Sequence, residues 1–450
     1  MLTKYKLSKY NTEVNSADGV LLHNQISHAL ICLKPKEYLA LQKFKITGHG
    51  LSFLFKRLLK QGGYLIPTDF DELGFIKNSY IYKLDNTEFK SLTIAPTDRC
   101  NLKCVYCFEG KNQWVVMSQE TIEKLKVFIQ EFLTATPTKH FAICWFGGEP
   151  TLATKEMLQL SEWAMSFCNN RSIKYSNSMI TNGTLLKDNM IDVLRSMNCF
   201  DLQITLDGDQ EQHDKQRPYR VSLPVLNNPK IIPHSSFNAI IGNLPMLYEH
   251  GFRINLRVNV GKNNKDSITK IQSLLEKMGI DKNHTSGGRI KIYAGHLFDS
   301  EMSLSKEEWA PFGLIKSLNP FMGGGCLATA KFAFGVSQNG KLCKCWEHIT
   351  DEIHTIGTID DLLYAREGYG LHEQFDPVTD PICSKCHVLP ICYGGCYAHN
   401  DFFKGRDGVK DIGCIAEKWL LNQYILNLYH ENKPSTPPKS SIVDLLFGCG

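Results

Sequence analysis

Between about residues 91 and 300 the sequence alternates short β-prone stretches with longer stretches of helical periodicity. The helical pattern is clear at 118–135, where Leu125, Ile129 and Phe132 recur along one face. Strands separated by helices pair in parallel through right-handed crossovers. The alternation therefore predicts an α/β fold, a partial (β/α)6 barrel. Its strands are predicted at 91–96, 141–146, 175–181, 202–207, 253–260 and 289–294, and its further helices at 154–168, 185–197, 236–250 and 264–279.

A polar or glycine-rich motif follows each of the first four predicted strands. In parallel barrels the functional groups lie on the loops after the C-terminal ends of the strands. The four motifs are therefore expected on one rim of the barrel. They are CNLKCVYC (100–107), GGEP (147–150), TNG (181–183) and LDGDQEQHDKQR (206–217).

The first motif places Cys100, Cys104 and Cys107 within eight positions. Thiolates favour zinc or iron–sulfur clusters, and a structural zinc site needs four ligands. Residues 96–116 contain no further His or Cys. A four-iron cluster held by three cysteines leaves one iron open to an amino nitrogen and a carboxylate. The motif thus favours an open cluster over the zinc alternative.

The 16 cysteines of the chain also bear on its compartment. The N-terminus lacks the apolar core of a signal peptide, and no apolar run is long enough to span a bilayer. Clustered cysteines in a reducing compartment are typically metal ligands or catalytic groups. A formal charge of +4 does not call for a nucleic-acid partner. We therefore expect a cytoplasmic enzyme with neither a nucleic-acid nor a membrane partner.

CNLKCVYC resembles the CxxxCxΦC motif of the radical S-adenosylmethionine (AdoMet) enzymes, with Tyr106 as the aromatic residue Φ. GGEP, TNG and LDG with the following HD and Arg resemble further motifs of that family in order and position. The resemblance covers roughly residues 91–300. It implies that the open iron binds the methionine end of AdoMet. The cluster would then cleave AdoMet to a 5′-deoxyadenosyl radical, which abstracts a hydrogen atom from the substrate.

The resemblance implies cofactor-binding roles for residues of the first three motifs. Gly147 and Gly148 would let the AdoMet amino group approach backbone carbonyls closely, and Glu149 would face that ammonium with a negative charge. Tyr106 would pack on or beside the adenine. Asn182 of the TNG motif completes this part of the predicted site.

The fourth motif supplies residues with two interpretations. Thr205, Asp207 and Arg217 lie where related enzymes bind the ribose and the carboxylate. The alternative is a plain turn at Asp207 and a solvated charge at Arg217. For His213 and Asp214 a helix-start or packing role is favoured.

A second field of cysteines has the pattern Cys383-x2-Cys386-x5-Cys392-x3-Cys396 followed by Cys414, with Cys326, Cys343 and Cys345 upstream. It resembles the SPASM extension found on radical AdoMet enzymes that modify peptides and proteins. The alternative is a zinc ribbon, which would explain the four-cysteine run 383–396 but not the other cysteines. The resemblance implies two auxiliary clusters, and so three [4Fe-4S] clusters in all. The outer ligands would be Cys383, Cys386, Cys392 and Cys414, and the inner ligands Cys326, Cys345 and Cys396. The inner cluster either takes Cys343 as its fourth ligand or keeps an open iron.

Residues 1–90 contain a hairpin candidate, GVLLHNQISHALICL, and two short helices. This order resembles the small winged-helix elements that bind leader peptides, and an extended leader could add to a strand edge. The alternative is that this region only caps the barrel. The predicted domains are a winged-helix-like α+β element (1–90), the radical AdoMet core (91–300), the SPASM domain (301–432) and a flexible tail (433–450).

The resemblance leaves more than one function open. One is a maturase that installs a carbon–carbon, ether or thioether cross-link in a ribosomally made precursor peptide, with an external electron donor. Another is a sulfatase maturase that oxidises Ser or Cys to formylglycine. There an Asp base follows the equivalent of Cys345, whereas here Trp346 follows. Epimerisation is a further reaction of the class. An iron–sulfur electron carrier would need neither GGEP nor TNG.

Overall fold

The computed structural model describes residues 4–109, 113–220, 235–280, 288–297, 304, 328–350, 353–361, 376–393, 421–422 and 424–430. The chain divides into two compact units. One comprises Met1–Leu84, Lys306–Cys326 and Gln374–Gly450, and the other Asp85–Ser305 and Leu327–Glu373. Residues 327–373 thus group with the core, and the N- and C-terminal segments group together. The four-part division made from the sequence stays a prediction.

The first unit begins with an α+β region. A three-stranded antiparallel sheet has the order β2–β3–β4, and β1 pairs antiparallel with β5. The predicted hairpin is β3–β4, and both predicted helices are present. The sequence analysis missed the remaining elements. The elements are β1 (Tyr5–Leu7), β2 (Asn11–Ser16), β3 (Gly19–Asn24), β4 (Leu30–Leu33), α1 (Pro35–Thr47), α2 (Phe53–Gln61), β5 (Leu65–Pro67) and α3 (Glu72–Leu84).

Both faces of this small sheet are buried. On one face Leu22, Ile31 and Leu33 share a core with residues of α1 and α2. On the other face Val14 and Leu21 share a core with residues of the cysteine-rich segment and the C-terminal helix, namely Val388, Ile391, Leu421 and Ile425. The N-terminal strands and the C-terminal segment therefore stabilise each other, because removing either would expose the other's apolar side chains.

The second unit contains the predicted parallel sheet. Its strands are β6 (Phe89–Ile94), β7 (His140–Trp145), β8 (Lys174–Thr181), β9 (Cys199–Thr205), β10 (Arg253–Val260) and β11 (Ile290–His296). They are hydrogen-bonded in sequence order and all in parallel. The helices are α4 (Gln119–Thr134), α5 (Thr154–Asn169), α6 (Asp188–Ser196), α7 (Gln210–Gln216), α8 (Ser236–Glu249) and α9 (Ser267–Lys277). The predicted α/β class is confirmed.

Helix α4 shows why the alternation folds in this way. The hydroxyl of Ser118 accepts a hydrogen bond from the backbone N–H of Thr121 at 3.1 Å, which caps the first turn. The apolar face of α4 is buried, and it includes Leu125, Ile129 and Phe132. Among the helices that the structure describes, none has the length and hydropathy to cross a membrane.

Three short strands extend this sheet beyond β6. They are β12 (Ala333–Val336), β13 (Lys341–Cys343) and β14 (Gly357–Thr358). Strand β12 pairs in parallel with β6, and the other two follow in antiparallel order. The sequence signal for the β12–β13 hairpin was the apolar run AFGV followed by the turn residue Gly340. In the structure the run is buried and Gly340 has a φ of +74°.

His23 on β3 is a buried titratable group in the first unit. It is fully buried, and neither ring nitrogen has a hydrogen-bond partner in the described structure. Burial, together with the charge of the nearby His28, lowers its pKa from 6.5 to about 3. The ring is therefore neutral in the folded state, whereas it protonates near pH 6.5 in the unfolded chain.

This difference predicts a pH-dependent stability. The stabilisation is fully present above pH 6.5 and is lost as the pH falls toward 3, by up to about 1.4 kcal/mol per pH unit. Hydrogen exchange in β2–β4 of the whole chain, corrected for the intrinsic rate, should show this slope. The slope should shrink in His23→Gln and persist in His49→Gln, which changes an exposed histidine. An unchanged slope in His23→Gln would contradict the assignment.

Candidate active site

The three cysteines of the first motif lie on the loop that follows β6, and both sides of this loop are hydrogen-bonded to neighbouring segments. The hydroxyl of Thr97 donates to the carbonyl of Val115 at 2.7 Å. On the other side the N–H of Lys103 donates to Pro218 O at 2.8 Å, and that of Val105 to Gln216 O at 2.9 Å. The loop is therefore anchored to neighbouring segments on both sides.

The thiols of this loop lie close enough to oppose one another's ionisation. Burial raises the pKa of Cys100, as do the charges of Glu149 and Cys104. Burial, with the charge of Cys104, raises the pKa of Cys107 to about 11. A cationic cluster would relieve this repulsion, because thiolates are its ligands.

This donor set fits a four-iron cluster. In the segments that the structure describes, no three His, Cys, Asp or Glu side chains are arranged to hold a single metal ion. Cysteine ligands of a four-iron cluster bind separate iron atoms and therefore stand farther apart than the ligands of one ion.

The GGEP turn packs directly against the backbone that precedes Cys100. The N–H of Gly148 donates to Thr97 O at 3.1 Å, and that of Glu149 to Arg99 O at 2.7 Å. A Cβ on Gly147, whose φ is +106°, would lie 2.5 Å from Thr97 O, and one on Gly148 would lie 2.3 Å from Arg99 O. Close backbone packing therefore requires both glycines, while their role toward AdoMet stays a prediction.

Glu149 is completely buried, and both carboxylate oxygens accept hydrogen bonds. Oε1 accepts from the hydroxyls of Thr151 at 2.6 Å and Thr181 at 2.7 Å, and Oε2 accepts from the N–H of Asn182 at 2.7 Å. Burial raises the pKa of Glu149, and these donors oppose the rise. The carboxylate thus joins the GGEP and TNG turns.

Asn182 continues this network toward the cysteine loop. Its side-chain amide donates to Asn101 Oδ1 at 2.7 Å and lies 3.9 Å from the Sγ atom of Cys100. Its Oδ1 accepts from the hydroxyl of Thr184 at 2.7 Å, and that hydroxyl accepts from the side-chain amide of Asn101 at 2.9 Å. The second and third motifs are therefore both in contact with the first.

Tyr106, Asp207 and Arg217 meet in one buried group. The Tyr106 hydroxyl donates to Asp207 Oδ2 and accepts from Arg217 Nη1 at 2.7 Å. Asp207 Oδ1 accepts from the N–H of Asn259 at 2.8 Å. The buried Nε of Arg217 has no partner in the described structure, so a donor remains for a carboxylate such as that of AdoMet. Thr205 is the buried last residue of β9.

His213 and Asp214 have the structural roles that the sequence favoured. Nδ1 of His213 accepts a hydrogen bond from the N–H of Asp207 at 3.0 Å. Asp214 Oδ1 accepts from the N–H of Phe237 at 3.0 Å, at the start of α8. Sequence reasoning missed Asn259 and the buried Glu109, whose pKa burial raises to about 8. The position of Glu109, two residues after Cys107, was the available signal.

The second cysteine field is described only in part. Cys343 is buried on β13 beside Ala95 and Ile349, and its thiol donates to the carbonyl of Cys345 at 3.1 Å. A short 3₁₀ helix spans Cys383–Lys385, the N–H of Cys386 donates to Cys383 O at 2.9 Å, and Cys392 ends the short helix Leu389–Cys392. The predicted ligands Cys326, Cys396 and Cys414 lie outside the described residues.

A row of aromatic rings runs from the first cysteine motif to the Cys345 segment. The Phe108 ring, directly after Cys107, stacks on Phe146 with the ring centroids 6.3 Å apart. The Phe146 ring lies 5.6 Å from that of Trp346, which directly follows Cys345. Trp346 is therefore packed among aromatic rings.

Comparisons with known proteins agree with this geometry. A family model described as the Radical SAM superfamily matches residues 94–275. A cysteine-type anaerobic sulfatase-maturating enzyme of Clostridium perfringens is 33% identical over 361 residues, covering 68% of this chain and 88% of the relative. A serine-type anaerobic sulfatase-maturating enzyme of Klebsiella aerogenes is 23% identical over 330 residues, covering 67% of this chain and 77% of the relative.

A solved structure shows the same fold. Native anSMEcpe with bound AdoMet and Cp18Cys peptide is similar with a TM-score of 0.57 and 20% identity, covering 77% of this chain and 100% of the other.

The packing of the GGEP turn predicts the effect of a single methyl group. Gly148→Ala would force the Arg99 carbonyl and the cysteine loop to move, at a cost of about 1–3 kcal/mol. We expect a lower unfolding temperature and weaker AdoMet binding, measured by calorimetry and equilibrium dialysis. Gly242→Ala is the matched control, since its Cβ would meet nothing within 4 Å. Equal behaviour of the two variants would contradict the requirement for glycine.

Proposed function

The chain belongs to the radical SAM superfamily, and from this membership we propose that it is a maturase of a ribosomally made precursor peptide. It is a radical AdoMet enzyme with a 4Fe-4S cluster and AdoMet as cofactors. The observation that supports the site most strongly is the hydrogen-bonded assembly of the cysteine loop with the GGEP and TNG turns.

Cys100, Cys104 and Cys107 would hold the cluster, which when bound would supply the electron for the cleavage of AdoMet to methionine and a hydrogen-abstracting radical. The protein positions the loop that carries these ligands. We propose that Nε of Arg217, which has no partner among the described residues, receives the AdoMet carboxylate. The proposed AdoMet-contacting residues are Tyr106, Gly147, Gly148, Glu149, Asn182, Thr205, Asp207 and Arg217.

A peptide or protein is the proposed substrate. The relatives named above are sulfatase-maturating enzymes, and anSMEcpe is bound to a peptide. Within this class we propose a carbon–carbon, ether or thioether cross-link. The supporting observation is Trp346, an indole packed on Phe146 where sulfatase maturases carry an Asp base.

Formylglycine formation is the second candidate, and the relatives favour it. The two reactions differ in their products. A cross-linked peptide loses two hydrogens and carries no aldehyde, whereas formylglycine reacts with a hydrazide probe. Mass spectrometry of the treated peptide before and after the probe decides between them, and a hydrazone on the product would overturn the cross-link.

We also propose two auxiliary clusters, held by the cysteines of the SPASM-like segment. The full set of proposed metal ligands is Cys100, Cys104, Cys107, Cys326, Cys343, Cys345, Cys383, Cys386, Cys392, Cys396 and Cys414. An external electron donor would supply the electrons for the reaction. The enzyme would act in the cytoplasm. The N-terminal region would bind the leader of the precursor.

Loss of one core ligand should abolish the radical chemistry. We expect Cys104→Ala to form no 5′-deoxyadenosine from AdoMet with dithionite, measured by chromatography. Cys168→Ala, at a buried cysteine on α5 outside the proposed ligand set, should retain cleavage. Full cleavage by the Cys104 variant would show that the radical site lies elsewhere.

The iron content tests the auxiliary clusters. Anaerobically reconstituted protein should contain about twelve irons per chain if three four-iron clusters are present. Replacing both Cys383 and Cys386 by Ala should lower the count by about four and abolish product while leaving some AdoMet cleavage. A wild-type count near four, unchanged in the double variant, would contradict the proposal.

A further inference from the structure

Helices α1 and α2 carry a concentration of positive charge that the net charge of the whole chain does not reveal. Residues 34–61 contain seven Lys and Arg residues against a single acid, Glu37, for a formal charge of +6, although the chain as a whole carries +4. The rest of the protein is therefore slightly acidic. Six of the seven basic residues are exposed, and they are Lys34, Lys36, Lys43, Lys45, Arg57 and Lys60.

The same two helices expose large apolar side chains. Leu39 is 67% exposed and Ile46 86%, while Phe53 is 81% and Leu54 74% exposed. The buried faces of α1 and α2 are already used by Leu41, Phe44, Phe55 and Leu59 in the core below them. These four side chains lie outside the core and are available for contact with a binding partner.

Charged and apolar groups alternate on this surface. On α1, Lys43 lies four residues after Leu39 and three before Ile46, so the three share one face. On α2, Arg57 lies four residues after Phe53. The connection between the helices passes Lys43, since a Cβ on Gly50 would lie 3.1 Å from Lys43 Cδ. We call Leu39, Lys43, Ile46, Phe53, Leu54 and Arg57 the basic–apolar surface.

We infer that the basic–apolar surface docks an acidic, amphipathic segment of the peptide substrate. This inference rests on the proposed peptide-maturase function, and it names a surface on the helices rather than a strand edge. The lysine and arginine heads would pair with carboxylates of the peptide, and its apolar side chains would cover Ile46 and Phe53. Docking outside the active site would raise the effective concentration of the segment to be modified.

Other occupants fit these observations less well. A second copy would place Lys43 and Arg57 against the basic residues of the same surface, and like charges repel. A membrane-surface helix presents a continuous apolar face, whereas the central apolar residues of α2, Phe55 and Leu59, point into the protein core. Phosphate groups of a nucleic acid would pair with the lysines and leave the apolar side chains uncovered.

A protein electron donor also fits poorly. The small sheet separates the core shared with α1 and α2 from the core shared with Val388 and Ile391 of the cysteine-rich segment. An electron carrier should dock beside its cluster, and this surface lies on the opposite face of the sheet.

The test uses the holoenzyme and a fluorescein-labelled synthetic helix with Glu and Leu at amphipathic spacing, followed by anisotropy. A helix with Lys in place of every Glu is the charge control. We expect the Glu helix alone to bind, and more weakly as ionic strength rises. Phe53→Ser with Leu54→Ser, and Lys43→Glu with Arg57→Glu, should each weaken binding about tenfold or more. The exposed residues Val127 and Lys155 supply the matched controls, Val127→Ser and Lys155→Glu, which should bind as wild type does.

Several results would overturn the inference: equal binding of the Lys helix, unchanged binding by both double variants, or variant-sensitive binding to phosphatidylglycerol vesicles without binding of the Glu helix. Formation of 5′-deoxyadenosine is measured in the same samples and should be equal in all variants. Cleavage without binding of the Glu helix would refute the docking surface alone. Binding without any cleavage would refute the proposed function and leave the docking surface standing.

Discussion

The buried carboxylate of Glu149 holds together the chain segments that meet at the candidate site. It accepts hydrogen bonds from the turn that follows β7 and from the end of β8, and it raises the pKa of the Cys100 thiol. A buried charge is tolerated only when its oxygens are fully bonded, so the positions of its donors are strongly constrained. The close approach of Gly148 to the Arg99 carbonyl then fixes the cysteine loop above the same strands.

A second buried group restrains the other side of this loop. Tyr106 lies between the cysteines and bonds to both Asp207 and Arg217, which come from the segment after β9. These bonds fix the position of the loop relative to the segment after β9. Nε of Arg217, a buried donor with no partner in the part of the chain that the structure describes, is the kind of atom that a bound carboxylate would satisfy.

The first unit places the two ends of the chain in one core, with consequences for experiments on substrate recognition. Val14 and Leu21 pack with Val388 and Ile391, close in sequence to predicted cluster ligands. Deleting the N-terminal region to test leader binding would expose this core as well. Surface substitutions on α1 and α2 avoid that difficulty, because the side chains concerned lie outside the core.

The sequence by itself determined the parallel α/β fold and the placing of four motifs on one rim, because strand and helix periodicities are local and the motifs follow the strands directly. It also determined the helix α4, from its apolar spacing. Only the tertiary structure decided what the motif residues touch. Glu149 and Asp207 are hydrogen-bonded to residues 32 and 101 positions away in the sequence, and such partners cannot be read from a local pattern. Their contacts with the cofactor stay a prediction. The sequence also could not predict that β12–β14 extend the core sheet. Strand β12 pairs with the edge strand β6, and that edge exists only once the strands of the sheet have come together.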